Sequence, residues 1–281
     1  MDIQPVSEVM GGEVRGVDLS RPLDAAAFGE ILQAFHRHML LVFPNQRIDE
    51  AQQVAFSRRF GELQVHVLEQ YRHSRHPEIF VQSNVDRKTG KTTGTHPDKG
   101  SLVWHSDLSF LPRPALATAL YGIEVPDEGG DTLFADMCAA YDALDADTKA
   151  LLGGLRAVHD ISVQRVRAGE EPMTERQRAE APPVEHPAVR THPATGRKAL
   201  YVSRHASHIV GLPRAESDAL LERLQAHATS ERFVYRHRWR VRDVVIWDNR
   251  CTIHSATPYD PGAKRRVIHR TVVKGDAPVL I

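Results

Sequence analysis

His105 and Asp107 stand two positions apart in SLVWHSDLSF, residues 101–110, a run whose composition reads as a strand. Alternation along a strand sends His105, Asp107 and Ser109 to one face and Trp104, Ser106 and Leu108 to the other. An imidazole and a carboxylate on one face can converge on a divalent metal. Two His and one carboxylate on one face of an octahedron form the set that leaves open positions on non-haem Fe(II). The plain alternative is a surface His beside a turn Asp, and the pair alone does not decide between the two.

The other end of the chain adds to it. In VVIWDNRCTIHSATPYDPGAKRRVIHR, residues 244–270, His254 follows an apolar strand and supplies a candidate third donor. Arg266 and Arg270 lie on a later strand, four apart and so on one face. Guanidiniums turned inward need anions, and planar carboxylates are what arginine holds best. A charged edge strand is the competing reading. Likewise GGDTLF, residues 129–134, is by itself a glycine turn before a strand that happens to contain Thr132.

These residues need a scaffold of short strands. In PLDAAAFGEILQAFHRHML, Phe28, Ile31, Leu32, Phe35 and Met39 recur at helical spacing, and IDEAQQVAFSRRFGEL gives a second helix with Asp49 at its start and Gly61 near its stop. From Glu78 onward, strand-like runs alternate with Pro, Gly and Asp turns. Residues 85–100 are polar and aperiodic, and read as a mobile loop placed as a lid. A helical block follows from Met137, then a charged segment within 161–185 that reads as a poorly ordered insertion. Thr195-Gly196 should turn a hairpin, and RFVYRHRWRVRDVVIWDNRCTIHSAT should give two strands around Arg242-Asp243. Many strands with helices at the start and middle argue for an antiparallel sandwich or barrel rather than βαβ units. One domain spanning residues 1–281 is expected.

With 36 Lys plus Arg against 36 Asp plus Glu, the chain carries no basic field for nucleic acid or anionic membrane. A small molecule is the expected partner. No apolar run approaches bilayer-spanning length, and the N-terminus lacks the basic flank and apolar core of a leader, so a cytoplasmic protein is expected. Cys138 and Cys251 suggest neither a disulfide framework nor a thiolate zinc site.

The ordered series GVDLSRPL, FSRRFGEL, WHSDLSF, GGDTLFADM, WDNRCTIHSAT and RRVIHR resembles the taurine dioxygenase and phenoxyacetate dioxygenase (TauD/TfdA) family over nearly the whole chain. The resemblance implies a mainly β fold with flanking helices, a double-stranded β-helix or jelly roll. It implies Fe(II) on His105, Asp107 and His254, and 2-oxoglutarate held at its distal carboxylate by Thr132 and Arg266. O2 is the second cosubstrate, and hydroxylation of an anionic substrate releases succinate and CO2. Arg270, His66 and Leu108 would contact that substrate, with His205 and His208 either lining its pocket or lying on a loop. A carboxylate at Asp107 favours hydroxylation over halogenation. Around His66 the chain reads VHVLEQY where taurine enzymes have a Pro and a Tyr, whereas GRKALYVSRHASHIVGLP and ATSERFVYRHRWRV look closer to the phenoxyacetate group. Cleavage of an aryloxyalkanoate ether is therefore expected ahead of taurine, alkylsulfonate or alkyl sulfate oxidation. A homo-oligomer, dimer or tetramer, is expected from the same resemblance, with the apolar N-terminal helix as a possible contact. A non-catalytic metal-binding β-helix would have no use for Thr132 and Arg266. A zinc hydrolase would need a general base and no carboxylate-binding arginine.

Overall fold

The computed structural model describes residues 1–65 and 69–275. The N-terminal part forms β1 (Asp2–Pro5), β2 (Gly12–Arg15), α1 (Ala25–His38), β3 (Leu40–Phe43) and α2 (Glu50–Arg58). Next come β4 (Phe80–Ser83), β5 (Ala115–Glu124), β6 (Thr132–Asp136), α3 (Met137–Asp142), α4 (Ala146–Leu152) and β7 (Arg156–His159). The middle holds α5 (Ile161–Arg167), α6 (Glu175–Glu180), β8 (Val184–Pro187), β9 (Val189–Thr191), β10 (Lys198–Leu200) and β11 (Ala206–Ile209). The chain then runs through α7 (Arg214–Ala228), β12 (Val234–His237), β13 (Val244–Asp248), β14 (Thr252–Ala256) and β15 (Val267–Lys274).

Seven strands form the larger sheet in the order β1-β2-β3-β13-β5-β15-β4, and β12-β6-β14 forms a smaller one. Helices cover the outside, and the architecture is the jelly roll expected from the sequence. The continuous apolar run of β13 shows why. Val245 and Trp247 join Phe134, Leu120 and Ile268 in the core of the roll, whereas Val244 and Ile246 join Phe35, Leu41 and Phe43 beneath α1 and α2. A strand buried on both faces loses its polar alternation, so its sequence reads as apolar throughout.

Local chemistry sets the ends of both N-terminal helices. The Asp24 carboxylate accepts from Ala27 N at 2.8 Å and caps α1, an interaction worth about 1 kcal/mol. Asp49 and Gln52 form a reciprocal capping box on α2. Ile31, Ala34 and Phe35 are buried inward, so the apolar face of α1 is spent on the core and is not the free contact surface that its composition suggests.

Three expectations change. Residues 101–110 are not a strand: a 3-10 turn over Lys99–Leu102 leads to one isolated bridge at His105, and the chain then turns through Leu108 at φ 53°. Side-chain bonds replace the ladder there, with Ser106 Oγ donating to Asn249 O and Asp107 N to Asn249 Oδ1. The segment 234–256 forms three strands rather than two. Arg242 turns the chain at φ 73° as expected, but a second break falls at Asn249–Cys251, where Asp248 gathers backbone and side-chain donors. The charged insertion folds into α5 and α6, with Thr174 and Gln177 boxing the start of the second. The Thr195-Gly196 hairpin stands, Gly196 taking φ 70°.

Candidate metal and cosubstrate site

His105 and His254 exchange backbone hydrogen bonds of 3.0 and 2.8 Å, which sets their rings side by side with centroids 4.2 Å apart. Asp107 completes the group because the turn after Ser106 folds its carboxylate back. Its Oδ1 lies 3.7 Å from His105 Nε2 and its Oδ2 3.7 Å from His254 Nε2. All three side chains are buried, and their donor atoms lie within 4.8 Å of one another. His105 Nδ1 donates to Val103 O at 2.7 Å, which turns Nε2 toward the carboxylate.

The carboxylate is oriented from behind. Thr118 Oγ1 donates to Asp107 Oδ2 at 2.6 Å and itself accepts from Asn249 Nδ2 at 3.0 Å. Burial alone would push the Asp107 carboxyl up, but Arg270, His254 and His105 together hold it well below the usual carboxylate range. Arg270 Nη2 makes the closest of these contacts, 2.6 Å to Asp107 Oδ1. His254 is kept neutral, first by burial and then by His105. Two imidazoles and one carboxylate are a donor set that fits a divalent first-row metal.

A narrow cleft runs from this group past Leu120 and Ala256 to Thr132 and Arg266. Arg266 is 4% exposed, makes no ion pair among the described residues, and has no partner for its Nε. A guanidinium buried without an anion is strongly unfavourable, so the cleft fits a ligand carboxylate. Thr132 Oγ1 lies beside it and accepts from Trp239 Nε1 at 3.0 Å. Gly130 is required at the same place: it sits at φ 66°, and a Cβ there would meet Pro126 Cγ at 2.8 Å and Arg266 Cδ at 3.5 Å.

On the other side of His105 and Asp107 opens a cavity of about 500 Å3. Its inner wall includes Phe80, Leu108, Phe110, Ile161 and His205, and Arg270 lines both spaces. His205 is 3% exposed and pinned by Ser109 Oγ at 2.9 Å from its Nδ1, whereas His208 lies on β11 beside Ser207. His66 lies outside the described residues.

The sequence did not reveal Asn84. It is fully buried, donates from Nδ2 to Pro261 O and Lys264 O at 2.9 and 2.8 Å, and accepts from Arg266 N at 2.7 Å. Thr118 and Asn249 were equally invisible, because their partners lie far away in the chain. A second buried group, His192, Asp248 and Cys251, also brings three donor types together. There, Arg250 and His192 occupy both Asp248 oxygens, and His192 Nδ1 accepts from Ala194 N and Thr195 N, so its donors satisfy one another. Cys138 and Cys251 are free thiols.

Comparison with known proteins follows this geometry. The family described as taurine catabolism dioxygenase TauD, TfdA family, matches residues 2–272. An alpha-ketoglutarate-dependent 2,4-dichlorophenoxyacetate dioxygenase of Cupriavidus pinatubonensis is 40% identical, covering 98% of each chain. A sulfate ester dioxygenase of Pseudomonas putida is 33% identical over 99% of this chain and 91% of its own. Among solved structures, AAD-2 in complex with Mn(II) and N-oxalylglycine superposes with a TM-score of 0.89 at 36% identity, covering 99% of this chain and all of its own. The chain belongs to the TauD/TfdA family of Fe(II)- and 2-oxoglutarate-dependent dioxygenases.

Proposed function

We propose that His105, Asp107 and His254 hold Fe(II), that Thr132 and Arg266 hold the distal carboxylate of 2-oxoglutarate, and that the chain hydroxylates an aryloxyalkanoate at the carbon bearing its ether oxygen. The observation that carries the substrate reading is the place of Arg270. It stands where the narrow cleft meets the larger cavity, with its Nε buried and unpartnered, beside Phe80, Leu108, Phe110 and Ile161. Arg270 already pairs with Asp107 through Nη2, so a second anion for its remaining donors and an aromatic ring for the apolar wall describe one molecule. The relative that acts on 2,4-dichlorophenoxyacetate supports the same substrate class.

Bound Fe(II) and 2-oxoglutarate supply the oxidising power, with O2 consumed and succinate and CO2 released. The chain's own residues do the rest. Thr118 and Asn249 fix the Asp107 carboxylate so that one orientation faces the metal. Arg266 neutralises the far end of the cosubstrate, and Arg270 turns the substrate's anionic end toward the metal. Phe80, Leu108, Phe110 and Ile161 would seat the aryl ring. The hydroxylated product is a hemiacetal, which breaks into a phenol and an oxo acid.

Residues 85–100 would cover the cavity, since His96, Pro97, Asp98, Lys99 and Gly100 line it while Thr92 Oγ1 anchors the other end to Gly262 O at 2.7 Å. Alkyl sulfate or taurine oxidation is the second reading, kept by the sulfate ester relative. A cytoplasmic dimer or tetramer remains the expected setting. No described helix is long and apolar enough to cross a membrane.

The test is succinate release by Fe(II)-loaded protein in air, with phenoxyacetates, taurine and alkyl sulfates offered separately. Phenoxyacetate should stimulate release and yield phenol, and His254→Ala should abolish both. Stimulation by taurine or alkyl sulfate alone would replace the substrate reading.

A further inference from the structure

A buried donor without an acceptor is a place where a folded chain lacks a ligand. Three such donors belong to neighbouring residues: Arg266 Nε, Tyr259 Oη and His96 Nε2, each closed to solvent and without a hydrogen-bond partner. Arg266 has its role in holding 2-oxoglutarate. Tyr259 and His96 have none so far.

Tyr259 lies between β14 and β15, and the Gly129-Gly130 turn brings it near Arg266. A Cβ on Gly129 would come within 3.2 Å of Tyr259 Cα, and one on Gly130 within 3.5 Å of Arg266 Cδ and Nε. Thr257 N donates to Asp131 O at 2.8 Å and Gly130 N to Pro258 O at 3.3 Å, which ties the two turns together. His96 arrives from the segment 85–100 and packs its ring against Tyr259, centroids 5.3 Å apart at 59°. Its Nδ1 accepts from Asp98 N at 3.2 Å, so the neutral ring carries its proton on Nε2. Burial, and then the charge of Arg266, hold the imidazole below its ordinary pKa and so in that neutral form. The nearby carboxylates are engaged elsewhere. Asp98 accepts from Ser101 N and Gln82 Nε2, and Asp131 pairs with Arg236. What remains is two neutral donors and one buried cation with no acceptor among them.

We propose that Tyr259 and His96 donate to the distal carboxylate of 2-oxoglutarate beside Arg266 and Thr132, so that the segment 85–100 closes on the cosubstrate as well as over the substrate. The inference rests on the 2-oxoglutarate reading above. A carboxylate offers about four lone-pair sites, so Thr132 and Arg266 leave room on it for two more donors. Water could satisfy the hydroxyl and the imidazole N–H, but it would leave the guanidinium charge unbalanced. Asp98, Lys99 and Gly100, just beyond His96, line the larger cavity. A cosubstrate that holds His96 therefore fixes that wall before the substrate enters, and 2-oxoglutarate should bind first.

Titration calorimetry of the Mn(II)-loaded full chain tests this. Tyr259→Phe and His96→Leu should each weaken 2-oxoglutarate about tenfold, the worth of one hydrogen bond. His96→Gln, whose side-chain amide can offer an N–H in place of Nε2, should recover most of that loss. The control is 2-oxopentanoate, the same chain length without the far carboxylate, which should bind weakly and alike to the wild type and all three variants. In hydrogen exchange, 2-oxoglutarate should slow the amides of 85–100 in the wild type but not in His96→Leu. Undiminished 2-oxoglutarate affinity in Tyr259→Phe and His96→Leu, with the loss confined to Arg266→Leu, would overturn this inference and leave the cosubstrate reading standing. Equal losses for 2-oxopentanoate would overturn it too, since the two side chains would then be supporting the fold. A wild-type chain that binds no 2-oxoglutarate would overturn both.

Discussion

At the scale of single residues, the candidate metal ligands depend on groups that hold no metal. The Asp107 carboxylate has two oxygens, and Thr118 fixes one while Arg270 fixes the other. Hydrogen-bond partners behind a ligand typically carry 10- to 100-fold in metal affinity. Thr118→Val keeps the volume and removes the hydroxyl, so Fe(II) or Co(II) should bind roughly 30-fold more weakly by titration, within that range. Unchanged affinity would show that Arg270 alone orients the carboxylate. The candidate ligands themselves were legible in the sequence because their residue types are uncommon together and their order is distinctive. Thr118 and Asn249 were not, since a threonine on a strand looks like any other and the bond joining them spans 131 positions.

Among elements, the instructive error is residues 101–110. Alternation on a strand would aim His105 and Asp107 together, and the structure aims them together by another route, a single bridge to His254 followed by a turn. Composition could not separate the two because the Asn249 side chain supplies what a neighbouring strand would. The helices of 161–185 were missed for a related reason: their polar residues face the cavity rim and solvent, and little apolar periodicity remains to be read. The same kind of distant support fixes Arg266 at the start of β15, where Asn84 ties β4 to the turn at 261–266 through three backbone groups. Asn84→Ala should raise the KM for 2-oxoglutarate about tenfold, the equivalent of one hydrogen bond's net worth, while kcat stays within about threefold. If the KM values for cosubstrate and prime substrate rose together, Asn84 would be supporting the whole sheet rather than Arg266.

At the scale of the whole molecule, the acid limit of stability follows from imidazoles buried without charge. His269, on β15, is 9% exposed, and its pKa is pushed down to about 4 by burial, then by His73, with Glu50 opposing and Arg87 reinforcing. The unfolded chain takes up that proton near pH 6.5, whereas the native state refuses it until about pH 4. Between those values the unfolded state binds more protons, so stability is full above pH 6.5 and falls as the pH is lowered. The loss from this one group amounts to about 2 kcal/mol between pH 7 and pH 5. His254 and His205, both held neutral by burial, act in the same direction. Urea unfolding at the two pH values should therefore give a markedly lower midpoint at pH 5. In His269→Gln, which cannot take up the proton in either state, the difference should shrink by about 2 kcal/mol. An equal pH response in the variant would mean that His269 titrates alike in the folded and unfolded chains, and that the acid sensitivity belongs to the other buried histidines.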